Sequence, residues 1–308
     1  MWGECRLSII EAFDVDKAFN GRDILKGVSF AIKEGSIIGL LGPNGAGKTT
    51  MIRLLNGVIN ATSGKMRVMG YDPQTEGDEI RKRAGIVTES AALYHDMSAW
   101  DNLVFFSKIY NAYDPKRITH LLEQFEMIEK KDHLVGTFST GMKKRITLAK
   151  ALLHKPTLLF LDEPTNGLDP EGINDVIHYL KKVNKEEKVT IVICSHVLHQ
   201  LETICDTFLF LKDGQIVEKG TRSELEDRYL TNVTLLVETG LLPIDSKTYR
   251  GFAYIRKDRH NIEFNLPSKN EIPALLKSIL SETWIHSCEI TNRSLESLYF
   301  KIRGEKHE

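Results

Sequence analysis

SIIGLLGPNGAGKTT, residues 36–50, is the stretch from which the rest of the chain can be read. Its first part, SIIGLLG (36–42), is an apolar run closed by glycine, the composition of a short buried strand. Its second part, GPNGAGKTT (42–50), matches G-x-x-x-x-G-K-[ST] in full and opens a helical stretch from Gly47 to about Leu55. A strand that feeds such a loop into a helix start is a phosphate cradle. Gly42, Gly45 and Gly47 let the backbone turn tightly and aim N–H groups at phosphate oxygens, and the helix start adds partial positive charge. Lys48 is expected to bridge the β- and γ-phosphates of ATP, and Thr49 to offer its hydroxyl to Mg²⁺. Asn44 and Thr50 lie in the same stretch and are assigned to the nucleotide with the glycines.

The second half of the site is TLLFLDEP (157–164). Four apolar residues carry Asp162 and Glu163 to the end of a buried strand. Asp162 is expected to hold Mg²⁺, through water, and Glu163 to act as general base and orient the attacking water. Around these two strands, strand-like and helix-like stretches alternate from Leu7 to about Gly220. VTIVICSH (189–196) and TFLFLKDGQIVEKG (207–220) read as strands, the latter a hairpin turned by Asp213-Gly214. VLHQLETIC, WDNLVFFSKIYN and PKRITHLLEQFEMI show helical spacing. The alternation predicts an α/β domain around a largely parallel sheet.

Composition limits the alternatives. A formal net charge of −1 gives no basic field to hold nucleic acid. The longest apolar runs, such as Leu158–Leu161 and Val189–Cys194, are far short of the ~20 residues that cross a bilayer, so if the chain drives transport another chain must form the path. The first residues, MWGECRLSIIEAFDVDK, carry acids early and do not read as a signal peptide. Cys5, Cys194, Cys205 and Cys288 form no CxxC pair, and Cys194 reads as a buried reduced thiol.

Further motifs, in order and spacing, resemble those of the ATP-binding-cassette (ABC) ATPases over residues 7 to about 228. FSTGMKKR (138–145) resembles the family signature, GLDP (167–170) its D-loop, and Ser195-His196 the histidine that ends a strand near the γ-phosphate. The resemblance implies a P-loop NTPase fold: an ABC nucleotide-binding domain over 1–228, with a helical subdomain at about 90–155. It also implies a sandwich dimer with a second copy, in which Ser139 and the Gly141 amide contact the γ-phosphate held by the partner. His196 contacts that phosphate within its own chain, and Phe19 stacks on adenine. Residues Ser90 to Asn102 receive a separate transmembrane permease subunit, through Leu93, Tyr94, Met97 and Trp100. The protein is then peripheral on the inner face of the cell membrane.

Two departures narrow the branch. Glu89 stands where most relatives have glutamine, and Thr140 where the commonest signature has glycine. Glutamate there is expected to strengthen the Mg²⁺ contact and repel the γ-phosphate, so Glu89 joins the catalytic and metal-binding residues. These departures, with the ending SLESLYFKIRGE, resemble exporters that protect against bacitracin and lantibiotics, and imply export of an antimicrobial peptide or drug-like amphiphile. Other readings are an ABC-2-like exporter of a lipid, polysaccharide or ion, and a non-transport regulatory ABC ATPase. Translation-type members carry two cassettes and repair-type members long coiled coils, and neither is present. A phosphotransferase leaves the STGM and SH motifs unexplained, and a dead binding module does not fit intact Lys48 and Glu163.

Residues 229–308 change character. Strand-like VTLLVET and GFAYIRKDRHNIEFNLP, helical EIPALLKSILSE, strand-like WIHSCEIT and helical SLESLYFKI, with Ser294 as N-cap, predict a small α+β domain. RSELEDRYL (222–230) reads as a closing helix and linker before it. A role in dimer contact or regulation is expected of this domain.

Overall fold

In the computed structural model, residues 8–88, 93–195, 197–230, 232–242 and 248–303 are described. The chain divides into two units, Met1–Lys219 and Gly220–Glu308.

The first unit opens with two long strands, β1 (Ser8–Phe19) and β2 (Arg22–Lys33), paired antiparallel. Asn20 and Gly21, both at positive φ (49° and 78°), form the tight turn between them. Next come β3 (Ile37–Leu41), α1 (Lys48–Leu55) and β4 (Ser63–Val68). β4 pairs with the other edge of β1, giving a three-stranded antiparallel sheet in the order β2-β1-β4. After α2 (Gly77–Arg83) and β5 (Ala84–Val87), three helices follow: α3 (Ala99–Ile109), α4 (Pro115–Gln124) and α5 (Thr140–Ala151). Leu103, Ile118, Leu121 and Ile146 from these helices are fully buried. The unit is completed by β6 (Leu158–Asp162), α6 (Pro170–Glu187), β7 (Thr190–Ser195), α7 (Leu198–Glu202), β8 (Thr207–Lys212) and β9 (Gln215–Thr221).

The second sheet has the order β5-β6-β7-β3-β8-β9, and its pairings from β5 through β8 are parallel. Every residue of β3, β6 and β7 is buried. Strands buried on both faces read as unbroken apolar runs, which is why IIGLL and LLFL stand out in the sequence. Each fully buried Leu or Ile contributes roughly 1.5–3 kcal/mol. Parallel order also aligns the carboxyl ends of β3, β6 and β7 on one edge, where ligands of open α/β sheets bind. The expected α/β architecture with a parallel sheet is therefore present, together with an antiparallel sheet.

The second unit contains α8 (Arg222–Tyr229), β10 (Val233–Thr239), β11 (Thr248–Tyr249), β12 (Phe252–Arg256), β13 (Asn261–Leu266), α9 (Ile272–Glu282), β14 (Ile285–Ile290) and α10 (Leu295–Arg303). Its sheet is antiparallel, in the order β11-β12-β13-β10-β14. Every second residue of β10 faces inward: Val233, Leu235 and Val237 are buried in one core with Ile262, Phe264 and Leu266 of β13 and Leu275 and Ile279 of α9. Ser294 accepts from the Ser297 N–H at 3.1 Å, an N-cap bond for α10. The helix α8 belongs to this unit because Glu226 on it is bonded by Lys269 and Arg293.

Candidate active site

From the end of β3 the chain turns through residues 42–47 into α1. Two glycines in this turn are required for different reasons. A Cβ at Gly42 would collide with the backbone oxygen of Leu211 on β8, so space forbids it. At Gly45 nothing lies within 4 Å, but φ is +80°, which side chains rarely adopt. The Lys48 ammonium folds back over the loop and donates to the carbonyls of Gly42 at 2.7 Å and Pro43 at 3.1 Å. The Thr49 hydroxyl donates to Oδ2 of Asp162 at 2.8 Å.

Asp162, 8% exposed, ends β6. Glu163 then leaves the strand at φ +50°, a left-handed conformation uncommon outside glycine. Its N–H donates to the carbonyl of Cys194 on β7 at 2.9 Å. Its own carbonyl accepts from the Lys144 ammonium of α5 at 3.3 Å. Burial pushes the Cys194 thiol well above its ordinary pKa, and the neighbouring Asp162 charge adds to that, so the thiol is inert at neutral pH.

Asn44, Gly45, Gly47, Lys48, Thr49 and Thr50 line one cavity of about 510 Å³ together with Asp162 and Glu163. Residues expected from two distant sequence segments thus meet around one space, of a size that suits a nucleotide. Ile24 of β2 and Asn166 also line it. Neither was marked by a motif: Ile24 lies in an ordinary β-strand pattern, and Asn166 sits in the turn after Glu163. Thr49 and Asp162 present a hydroxyl and a carboxylate oxygen side by side, a hard oxygen donor set that fits Mg²⁺.

Other expected residues lie elsewhere. Ser139 and Gly141 are at the start of α5, where Ser139 caps the helix by accepting from the Met142 N–H at 3.3 Å. They line a separate hollow of about 300 Å³ with Asp169 and Gly172 at the start of α6. Phe19 ends β1, 44% exposed, with the Lys17 ammonium 4.5 Å from its ring centre. It does not line the cavity at Lys48, where the apolar wall comes from Ile24. Glu89 and His196 lie outside the described residues. Of the expected docking residues, Tyr94 is half-exposed and packs edge-on against Phe105 at 4.9 Å. The Lys131 ammonium lies 5.8 Å from the Trp100 ring centre. The fully buried Asn102 ties this segment down, donating to the carbonyls of Tyr94 at 2.9 Å and Ser98 at 2.9 Å.

Comparison with known proteins places the chain in a family. Residues 25–166 match the model of the family described as ABC transporter. The chain is 32% identical to the linearmycin resistance ATP-binding protein LnrL of Bacillus subtilis (strain 168) over 307 residues, covering 96% of this chain and 98% of LnrL. An alignment of that length spans both units. It is 38% identical to the bacitracin transport ATP-binding protein BcrA of Bacillus licheniformis over 221 residues, 72% of each chain. The structure of cbiO1 from Clostridium perfringens, part of the ABC transporter complex cbiONQ, superposes with a TM-score of 0.66 at 29% identity, covering 72% of this chain and 92% of cbiO1. With a phosphate loop after an interior strand of a parallel sheet, and likeness to LnrL over nearly the whole chain, this chain belongs to the ATP-binding proteins of ABC transporters.

Proposed function

We propose that the protein hydrolyses ATP as a homodimer and thereby powers export of an antimicrobial peptide or similar amphiphile through a separate membrane subunit. The observation that carries the reading is the meeting of Lys48, Thr49, Asp162 and Glu163 around one cavity at the carboxyl edge of the sheet.

In this reading the loop glycines and Lys48 hold the phosphates, with Lys48 at the β- and γ-phosphates. Thr49 and Asp162 would hold Mg²⁺, which when bound neutralises charge on the phosphate oxygens. Glu163 takes a proton from the water whose oxygen attacks the γ-phosphorus, and ADP leaves. His196 and Glu89 act beside the γ-phosphate. Ser139 and Gly141 reach the nucleotide of the second copy, which accounts for their place outside the Lys48 cavity of their own chain. Phe19 stacks on adenine at the outer end of the site. Among the described residues no helix is long and apolar enough to cross a membrane. In this reading the transport path belongs to a separate permease, which holds the protein at the inner face of the membrane. Tyr94 and its neighbours are the docking surface for that permease.

The export reading and the class of substrate are supported by likeness to LnrL and BcrA, named for linearmycin resistance and bacitracin transport. The test is steady-state ATPase activity with Mg²⁺ for the native chain, Glu163→Gln and Glu89→Gln. Native turnover, a dead Glu163→Gln variant and an active Glu89→Gln variant are expected. Native-rate hydrolysis by Glu163→Gln overturns the assignment of the base.

A further inference from the structure

Glu163 is held at its backbone from two sides. On one side its N–H is bonded to Cys194 of β7, a strand inside the sheet. On the other its carbonyl accepts from Lys144, which is carried by a helix. That helix, α5, begins at Ser139 and Gly141.

Lys144 is 7% exposed. Burying an ammonium is costly unless it finds acceptors, so a lysine in this place is held by its contacts rather than lying on a surface. The bond to the Glu163 carbonyl is charge-assisted, hence stronger than a neutral one. The Glu163 backbone needs such support, because φ +50° with a side chain is a strained state that persists only where surroundings fix it. The torsions of residue 163 set where its carboxylate points.

We propose that Lys144 is a positioning residue which makes the aim of the Glu163 carboxylate depend on the placement of α5. The proposal rests on the reading of Glu163 as the general base. A displacement of α5 carries the ammonium with it and rotates or releases the Glu163 peptide, while the bond to Cys194 keeps the other end fixed. The helix that meets the partner's nucleotide thus also aligns the base in its own chain. Hydrolysis at one site becomes conditional on the same helix engaging the other site. Lys144 touches no reacting atom; it acts through the backbone of Glu163.

The test is steady-state ATPase kinetics of the full chain with Mg²⁺ and ATP, for the native protein, Lys144→Met, Lys144→Gln and Lys144→Arg, with Glu163→Gln alongside. Methionine removes the donor at similar length, and glutamine is uncharged and one atom shorter. Both are expected to lose kcat on the order of 10- to 100-fold, with KM for ATP within about twofold of native. Arginine keeps charge and reach and is expected to restore kcat to within about threefold of native. If Lys144→Met does not fold, Lys144→Gln carries the test. Native kcat in either losing variant, a loss that falls on KM, or no rescue by arginine overturns the proposal. Turnover by Glu163→Gln overturns instead the base assignment beneath it, so the two failures are distinct.

Discussion

The hydroxyl of Thr49, on the first turn of α1, donates to the carboxylate of Asp162, at the end of β6, across 2.8 Å. This bond ties the start of α1 to the end of the acidic strand β6, and in the proposed reading its two oxygens hold the divalent cation. Asp162→Asn is expected to lower kcat about 100-fold or more and to flatten the dependence of ATPase activity on Mg²⁺ concentration. A Mg²⁺ titration of both proteins checks this, and an unchanged metal dependence removes Asp162 from the metal site.

Ser139 and Gly141 line a hollow apart from the Lys48 cavity. Gly141→Asp is therefore expected to leave ATP binding by the single chain within about threefold of native, while adding charge at the surface that the proposed dimer brings to the partner's phosphate. Hydrolysis and the ATP-bound dimer are expected to be lost. Fluorescent-nucleotide binding, together with size-exclusion chromatography in a Glu163→Gln background, separates these effects. Loss of nucleotide affinity alone would put Gly141 in the site of its own chain.

Glu226 on α8 is 4% exposed and accepts from Arg222 at 3.0 Å, Lys269 at 3.1 Å and Nε of Arg293 at 3.0 Å. Burial alone would raise its pKa, but the bonds from Arg293, Lys269 and Arg222 outweigh it and hold the carboxyl below its ordinary 4.5. A lowered folded-state pKa contributes stability that is present above 4.5 and is lost as pH falls through the lower value. Glu226→Gln is expected to cost about 1–3 kcal/mol at neutral pH and to remove part of the acid sensitivity. Thermal melting of the full chain from neutral to acid pH measures both, and parallel melting profiles of the two proteins would refute the second effect.

Phe160 is fully buried in β6, two residues before Asp162. Phe160→Ala is expected to cost about 3–5 kcal/mol in urea denaturation, through lost contacts and a residual cavity. The same cavity loosens the strand that presents Asp162, so ATPase activity is expected to fall with stability.

The parts of the molecule most legible in the sequence are those with one dominant constraint. The phosphate loop needs glycine, lysine and threonine in fixed order, and β3, β6 and β7 are apolar along their length because both faces are covered. Ser294 was readable as a cap from its place before an amphipathic run. The antiparallel sheet of β1, β2 and β4 was much less so. β2 and β4 alternate only over their last residues, and β1 is broken by register shifts between Ala12 and Ala18, so no apolar period of two runs along it. The Asn20-Gly21 turn was nonetheless a hairpin signal in plain view. Ile24 and Asn102 carried no motif, because their roles arise from what the fold brings next to them: a phosphate loop in one case and three backbone carbonyls in the other.

The two loop glycines described above divide the tolerance of this site between geometry and torsion. Position 45 is open in space and closed in angle, so a saturation library should return asparagine there at reduced activity, since it enters the left-handed region at little cost and adds no charge beside phosphate. Position 42 is the reverse. Its rejection of every side chain comes from the oxygen of Leu211, so any route to a larger residue at 42 must first pass through a rearrangement of β8. A change in the loop's most compact residue is thus reachable only by mutations made elsewhere, and a lineage drifting one substitution at a time is barred from it.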